Sequence, residues 1–237
     1  MLRSFFLLFV PSFVFAQQRT IDVGKDNVSP VRDGLFYTVA GTPFSPYKYV
    51  RVVSGSPYFN DDWMKGVVLI PGGGRAKSDR VKLDLISGEL LYKDSTEKEF
   101  IATTPVQQLV LTDPASGKEY VFVNSSFLDL PGKEAAPGWY QLLEPGTATL
   151  YKKIKKTISE SRPFNSATTE QTINTTNQYL LAFNRLLTVV KKPKDIPAVL
   201  TDKKVQLDQY IGSNKFNGKT DTDFSSVIAY YNSLAAK

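Results

Sequence analysis

Between residues 31 and 156 the apolar side chains arrive in short runs, each cut off by Gly, Pro or Asp. That spacing constrains the fold more than any other feature of the chain. Residues 34–39 are rich in aromatic and β-branched side chains, and residues 47–53 alternate, with Lys48 and Arg51 breaking the apolar run. Residues 66–70 form an unbroken apolar run, which predicts a strand buried on both faces. Residues 81–85 alternate, Ser87 and Gly88 offer a turn, and residues 89–92 return, the pattern of a hairpin. Residues 108–112 and 119–124 make a second hairpin around Asp113-Pro114-Ala115-Ser116-Gly117-Lys118. Residues 139–143 and 147–154 make a third around Glu144-Pro145-Gly146. Strands this short and this regularly interrupted predict a mostly antiparallel sheet, as a sandwich or an open barrel.

The character changes after residue 156. Residues 157–174 are rich in Ser, Thr, Asn and Glu, include Pro163, and show no sustained period, which predicts a linker or loop. From Thr175 the apolar spacing fits a helix. Thr175 and Gln178 match a capping box, and Tyr179, Leu180, Phe183, Leu186, Leu187 and Val190 fall on one helical face until Pro193. Asp195 and Pro197 start a short helical turn, and Asp202 caps a helix carrying Val205, Leu207, Tyr210 and Ile211. Asp221 or Thr222 caps the last helix, whose stripe is Phe224, Val227, Ile228, Tyr231 and Leu234. The expectation is an α+β fold, strands first and helices last. Its segments are 17–156 for the sheet, 157–174 for the linker, and 175–237 for helices packed on the sheet or on each other.

Residues 1–16 read as a secretory signal peptide. Arg3 gives a charged start, an apolar run follows to Phe15, and Val14 and Ala16 sit where a cut before Gln17 needs small or β-branched groups. The apolar run is shorter than the roughly 20 residues a membrane span requires, and no Cys follows the cut to carry a lipid. No transmembrane segment is expected in the mature chain. With 42% hydrophobic and 12% aromatic residues, the chain has the composition of a domain that can build its own core. That core must stand without disulfides, because the chain has no Cys. It also has no His, which excludes Ser-His-Asp and Cys-His nucleophiles and His-based metal sites. The formal charge of +6 permits an anionic partner without requiring one.

Four constellations offer chemistry. Gly72-Gly73-Gly74-Arg75-Ala76-Lys77 follows a strand, as a phosphate loop would, but a strand rather than a helix comes next. What remains is an anion nest flanked by Arg75 and Lys77, or a wide turn. Asp61, Asp62 and Trp63 are a glycan-site arrangement, with acid, base and stacking ring, or a tight turn with Trp63 in the core. Asp84 and Glu89 are a second carboxylate pair, on the hairpin. Lys152, Lys153, Lys155 and Lys156, with Lys191, Lys192 and Lys194, are a basic patch for acidic glycan or lipid headgroups, or the lysine guard of an edge strand. Nucleic acid is a poor fit without interleaved exposed aromatics. No catalytic, cofactor or metal residues stand out, and no cofactor is expected.

The C-terminal pattern Tyr210-Ile211, Asn214-Lys215-Phe216, Lys219, Asp223-Phe224, Val227-Ile228 and Tyr230-Tyr231-Asn232-Ser233-Leu234 resembles the tail of uncharacterised exported proteins common in Bacteroidota. The segments 55–59, Trp63, 66–68 and 81–84 are similar to their N-terminal sheet region. The resemblance implies export from a Gram-negative cell, to the periplasm or cell surface, and carries no activity or site residue. The leading expectation is a non-enzymatic binding or structural module of the envelope. The alternatives are a carboxylate-dependent hydrolase of envelope glycans and a carrier of a lipid or other apolar ligand.

Overall fold

A computed structural model describes residues 20–22, 40–44, 49–128, 135–165, 167–214, 216 and 220–235. The expected signal segment and the expected strand at 34–39 lie outside the described residues, as do Tyr47 and Lys48. The strands are β1 Thr20–Asp22, β2 Gly41–Pro43, β3 Val52–Ser54, β4 Met64–Leu69, β5 Arg75–Leu83, β6 Leu90–Lys93 and β7 Glu99–Ala102. They continue with β8 Gln108–Thr112, β9 Glu119–Asn124, β10 Trp139–Glu144, β11 Thr149–Ser161, β12 Glu170–Phe183 and β13 Leu186–Val190. Among the described residues three α-helices follow: α1 Ile196–Val199, α2 Lys204–Asn214 and α3 Asp221–Ala235. The fold is α+β, and the sheet is open: one path runs β13-β12-β11-β10-β9-β8-β4-β5-β6-β7-β2. Among the described residues only β1 on β5 and β3 on β12 pair in parallel.

The hairpins form where the turn chemistry placed them. Asp84 N–H donates to Glu89 O at 2.9 Å to close β5–β6, and Asp113 N–H donates to Lys118 O at 2.9 Å to close β8–β9. At the β10–β11 turn, Gly146 has φ 149°. A Cβ there would come within 2.2 Å of Asn232. Asn232 in turn ties α3 to this turn, accepting from Ala148 N–H at 2.9 Å and donating to Pro145 O and Ala148 O. The run expected at 47–53 shrinks to β3, because Arg51 takes a left-handed backbone with φ 44° and breaks the extended chain.

The segment from 157 to 190 departs from expectation. In place of a linker and a helix, β11 runs on to Ser161 and β12 begins at Glu170, paired without interruption from Thr149↔Ala182 to Ser161↔Glu170. β13 returns after a two-residue turn in which Asn184 and Arg185 have φ 48° and 63°, the geometry of a tight hairpin. Thr175 and Gln178 are ladder residues opposite Lys156 and Lys153, not a helix cap. The helical spacing of Tyr179 to Val190 is the sum of two short strands folded back on each other. The physical reason lies in the side chains. Thr172, Ile173, Thr175, Thr176, Thr188, Val189 and Val190 are β-branched, losing rotamer freedom in a helix and packing well on a pleated surface.

The last helix forms as its stripe predicts, with Phe224, Val227, Ile228 and Tyr231 buried; in α2 Leu207 and Ile211 are buried but Val205 is exposed, and Asp202 lies within a 3-10 turn before the helix instead of capping it. The cap of α3 is Thr220 rather than Asp221 or Thr222: Thr220 and Asp223 exchange backbone-to-side-chain bonds of 3.2 and 3.3 Å. Two buried clusters share one face of the sheet. One gathers Met64, Leu83, Leu109, Leu111, Phe122 and Trp139. The other fills the space between sheet and helices with Leu150, Tyr179, Leu181, Val190, Leu207, Phe224 and Ile228 among others.

The opposite face carries an apolar row among polar residues such as Gln108, Thr112 and Lys153. β4 buries Met64, Gly66 and Val68 on the core side and leaves Val67 and Leu69 half-buried on the other, so it is not buried on both faces. The pairing register extends from Val67 through Val110, Val121, Leu142, Tyr151 and Leu180 to Val189, one apolar row across seven strands. None of these seven belongs to either core cluster.

Candidate functional site

The clearest polar centre is Asp84, which is 1% exposed at the mouth of the β5–β6 turn. Its Oδ1 accepts from Ile86 N–H at 2.8 Å and Ser87 N–H at 3.0 Å, and its Oδ2 accepts a short hydrogen bond from the Tyr49 hydroxyl. A buried carboxylate needs such donors to offset its lost hydration. The same contact acts on the tyrosine. Burial, then the hydrogen bond and charge of Asp84, push the Tyr49 phenol far above its ordinary value. Glu89 accepts from Ser87 Oγ at 3.0 Å. Asp61 accepts from Ser56 Oγ, and Asn60 and Asp62 close an Asx turn at 3.0 Å. The 60–63 stretch is therefore a tight turn, and both its aspartates are exposed.

Trp63 is half-buried rather than in the core. Its ring carries two ammonium groups, Lys82 and Lys93, each 4.9 Å from the centroid. Lys82 also lies 5.0 Å over the Tyr58 ring, and Lys93 reaches Glu99 at 3.3 Å. Such contacts contribute roughly 0.5–1 kcal/mol each when exposed. Lys82, Lys93 and Tyr58 did not stand out in the sequence; strand order alone brings them to Trp63.

Arg75 and Lys77 are exposed on alternate residues of β5, opposite Leu69 and Val67. The glycines before them form a tight turn, not an open nest: Gly73 N–H donates to Ile70 O at 3.1 Å and Ile70 N–H to Gly74 O at 2.9 Å.

The lysines of β11 do not make one patch. Successive strand residues point to opposite faces, and β10 pairs with β11 only from Leu150 to Lys152, so Lys153, Lys155 and Lys156 lie on a stretch whose ladder is to β12 alone. Lys152 reaches Asp221 on α3 at 2.8 Å, on the helix side. Lys153, on the other face, is 9% exposed and donates to Ala136 O at 2.8 Å, Pro137 O at 2.9 Å and the Tyr140 hydroxyl at 3.3 Å. Burial, then the nearby Lys155 charge, lowers its pKa. Lys156 donates to Ser56 O at 2.8 Å, and burial lowers its pKa too, against the pull of Asp61 and Asp84. Lys155 is exposed.

A small pocket of about 20 Å³ opens among Gly66, Val68, Ala76, Val81, Leu90 and Tyr92, room for about one water molecule. Among the described residues no cluster of three or more acidic side chains could hold a metal ion. In comparison with known proteins, no protein family, no curated protein and no solved structure matches the chain.

Proposed function

We propose that this chain is an exported protein of a Gram-negative envelope that acts by binding or as a structural element. One observation carries the reading. Four of the charged side chains that offered chemistry in the sequence are spent on architecture. Lys152 pins α3, Lys153 and Lys156 hold loop carbonyls, and Asp84 is saturated by Tyr49 and two amides. Export rests on the charged start, apolar run and Ala16 of the N-terminal segment.

The test incubates purified protein with peptidoglycan and a panel of envelope polysaccharides. The expected result is co-sedimentation without new reducing ends. Reducing ends that vanish in an Asp61→Asn or Glu89→Gln variant would overturn the reading in favour of a glycan hydrolase. N-terminal sequencing of the protein from its own cells is expected to begin at Gln17; a chain retaining residues 1–16 would overturn export by cleavage.

A further inference from the structure

The longest ladder of the sheet leaves one of its edges open. β10 pairs with β11 only as far as Lys152, whereas β12 pairs with it on to Ser161. Among the described residues no strand pairs with residues 153–161 on the β10 side, while the far edge of β12 carries β3 and β13. At about 3.4 Å per residue, residues 153–161 extend about 30 Å past the last β10 pair. Residues 157–161 of β11 and 174–177 of β12 are exposed. Two strands alone are marginal in water, and further strands supply the missing support. Sheet edges are usually blunted by charge, proline or shortness. Lys153, Lys155 and Lys156 guard the near half of this one. The far half, Thr157-Ile158-Ser159-Glu160-Ser161, has no proline and a single charge.

The side chains select both the partner and the register. A strand that pairs with its own copy about a two-fold axis sets one residue opposite itself. With Thr157 at the axis, Lys156 faces Ile158 of the second copy and Ile154 faces its Glu160. With Ser159 there, Lys156 faces Arg162 of the second copy, a like charge. With Ile158 there, Lys156 faces Glu160 at both ends of the pairing, Thr157 faces Ser159, and Ile158 meets itself. Opposite charges and β-branched apolar pairs facing across strands are stabilising. Lys156 already donates to Ser56 O and Glu160 already accepts from Gln171, so the attraction is between charges on facing strands and not a closed ion pair. Ile158 also lies opposite buried Ile173 of β12, so the central row becomes four isoleucines on four strands.

We propose that residues 155–161 of β11 pair antiparallel with the same residues of a second copy, about a two-fold axis at Ile158, joining two sheets into one. Residues 153 and 154 separate this pairing from the β10 ladder, so no strand is displaced. The paired stretch supplies about a third of the 20–30 residues that a standard interface uses on each side, so the dimer is expected to be weak, in the micromolar range. Self-pairing goes beyond the envelope-binding reading and does not depend on it.

The test is sedimentation velocity of the purified protein from about 1 to 500 μM, the range that so small an interface requires. A concentration-dependent monomer–dimer equilibrium is expected. Glu160→Lys sets like charges opposite each other at both ends of the pairing and is expected to weaken the dimer about tenfold, with an unchanged thermal melt as the check on folding. A second measurement fixes the register. The chain has no Cys, so Ile158→Cys places a lone thiol at the axis. Directly opposed residues hold their Cβ atoms about 4.5–5.5 Å apart, within reach of a short bis-maleimide. The reagent is expected to link two copies of Ile158→Cys. It is expected to spare Phe164→Cys, an exposed tip position that this register sets about 40 Å from its counterpart. A monomer throughout the range, or a dimer indifferent to Glu160→Lys, overturns the proposal. So does a dimer that is linked through Phe164→Cys as readily as through Ile158→Cys.

Discussion

Truncating Phe224 to Ala tests whether the C-terminal helices are part of the core or an appendage. Phe224 is fully buried, and its ring stacks on Tyr179 of β12 with centroids 4.0 Å apart and planes 20° from parallel. The pair is braced from both sides. The Tyr179 hydroxyl donates to Asp221 at 2.7 Å, and Asp221 takes Lys152 at 2.8 Å, so the first turn of α3 is fixed to two strands. The surroundings cannot collapse freely into a void, and a buried Phe→Ala change costs about 3–5 kcal/mol. A domain of this size loses about 2–4 °C per kcal/mol, so the melting temperature is expected to fall by about 6–20 °C. Phe224→Leu refills most of the volume and is expected to cost less than about 1.5 kcal/mol. The assay is urea unfolding followed by both helix and sheet circular dichroism signals, with the midpoint shifting and the slope constant. A cost below about 1 kcal/mol, or helix signal lost well before sheet signal, refutes the claim of one cooperative core.

Two further outcomes follow from the polar groups. Burial, with the hydrogen bond and charge of Asp202, raises the Tyr231 phenol to about 12, while Tyr49 and Tyr179 are raised by burial and by Asp84 and Asp221. In the unfolded chain these phenols ionise near 10, so the unfolded state releases protons first. Stability is expected to be full below about pH 10 and to fall as pH rises toward about 12, more shallowly in Tyr231→Phe. Urea melts at stepped alkaline pH measure this, and a flat profile over that window contradicts it. Gln141 is 6% exposed, and its Oε1 is buried with no hydrogen-bond partner among the described residues. Gln141→Leu is expected to raise stability by about 1 kcal/mol in denaturant unfolding, since an unmet buried acceptor costs about 1–3 kcal/mol; a loss of stability means that the amide is satisfied.

The hairpins and C-terminal helices were legible because their signals are local. Turn residues such as Asp113 and Gly146 fix the backbone within a few positions, and the α3 stripe repeats over four turns with a single partner surface. Residues 175–190 were misread because period alone cannot separate one helix from two short strands when the apolar residues lie within a dozen positions. The deciding signal was there in the β-branched side chains and in Asn184, a residue that tolerates the left-handed backbone a two-residue turn needs. A helix through Asn184 would also have left residues 153–161 of β11 without their partner strand.

The polar contacts were illegible for a different reason. Tyr49 and Asp84, Lys156 and Ser56, and Lys152 and Asp221 are 35, 100 and 69 positions apart, and nothing local announces such pairs. Register decides them. β11 alternates Lys152 toward α3 and Lys153 toward the 135–138 segment, so four lysines that read as one basic patch become four separate environments. The same register builds the outer apolar row, whose members come from seven strands and mostly stand alone between polar neighbours or core residues in the sequence. A one-residue slip in any of those pairings would put a core side chain on that face and break the row. The row is therefore a property of the whole sheet.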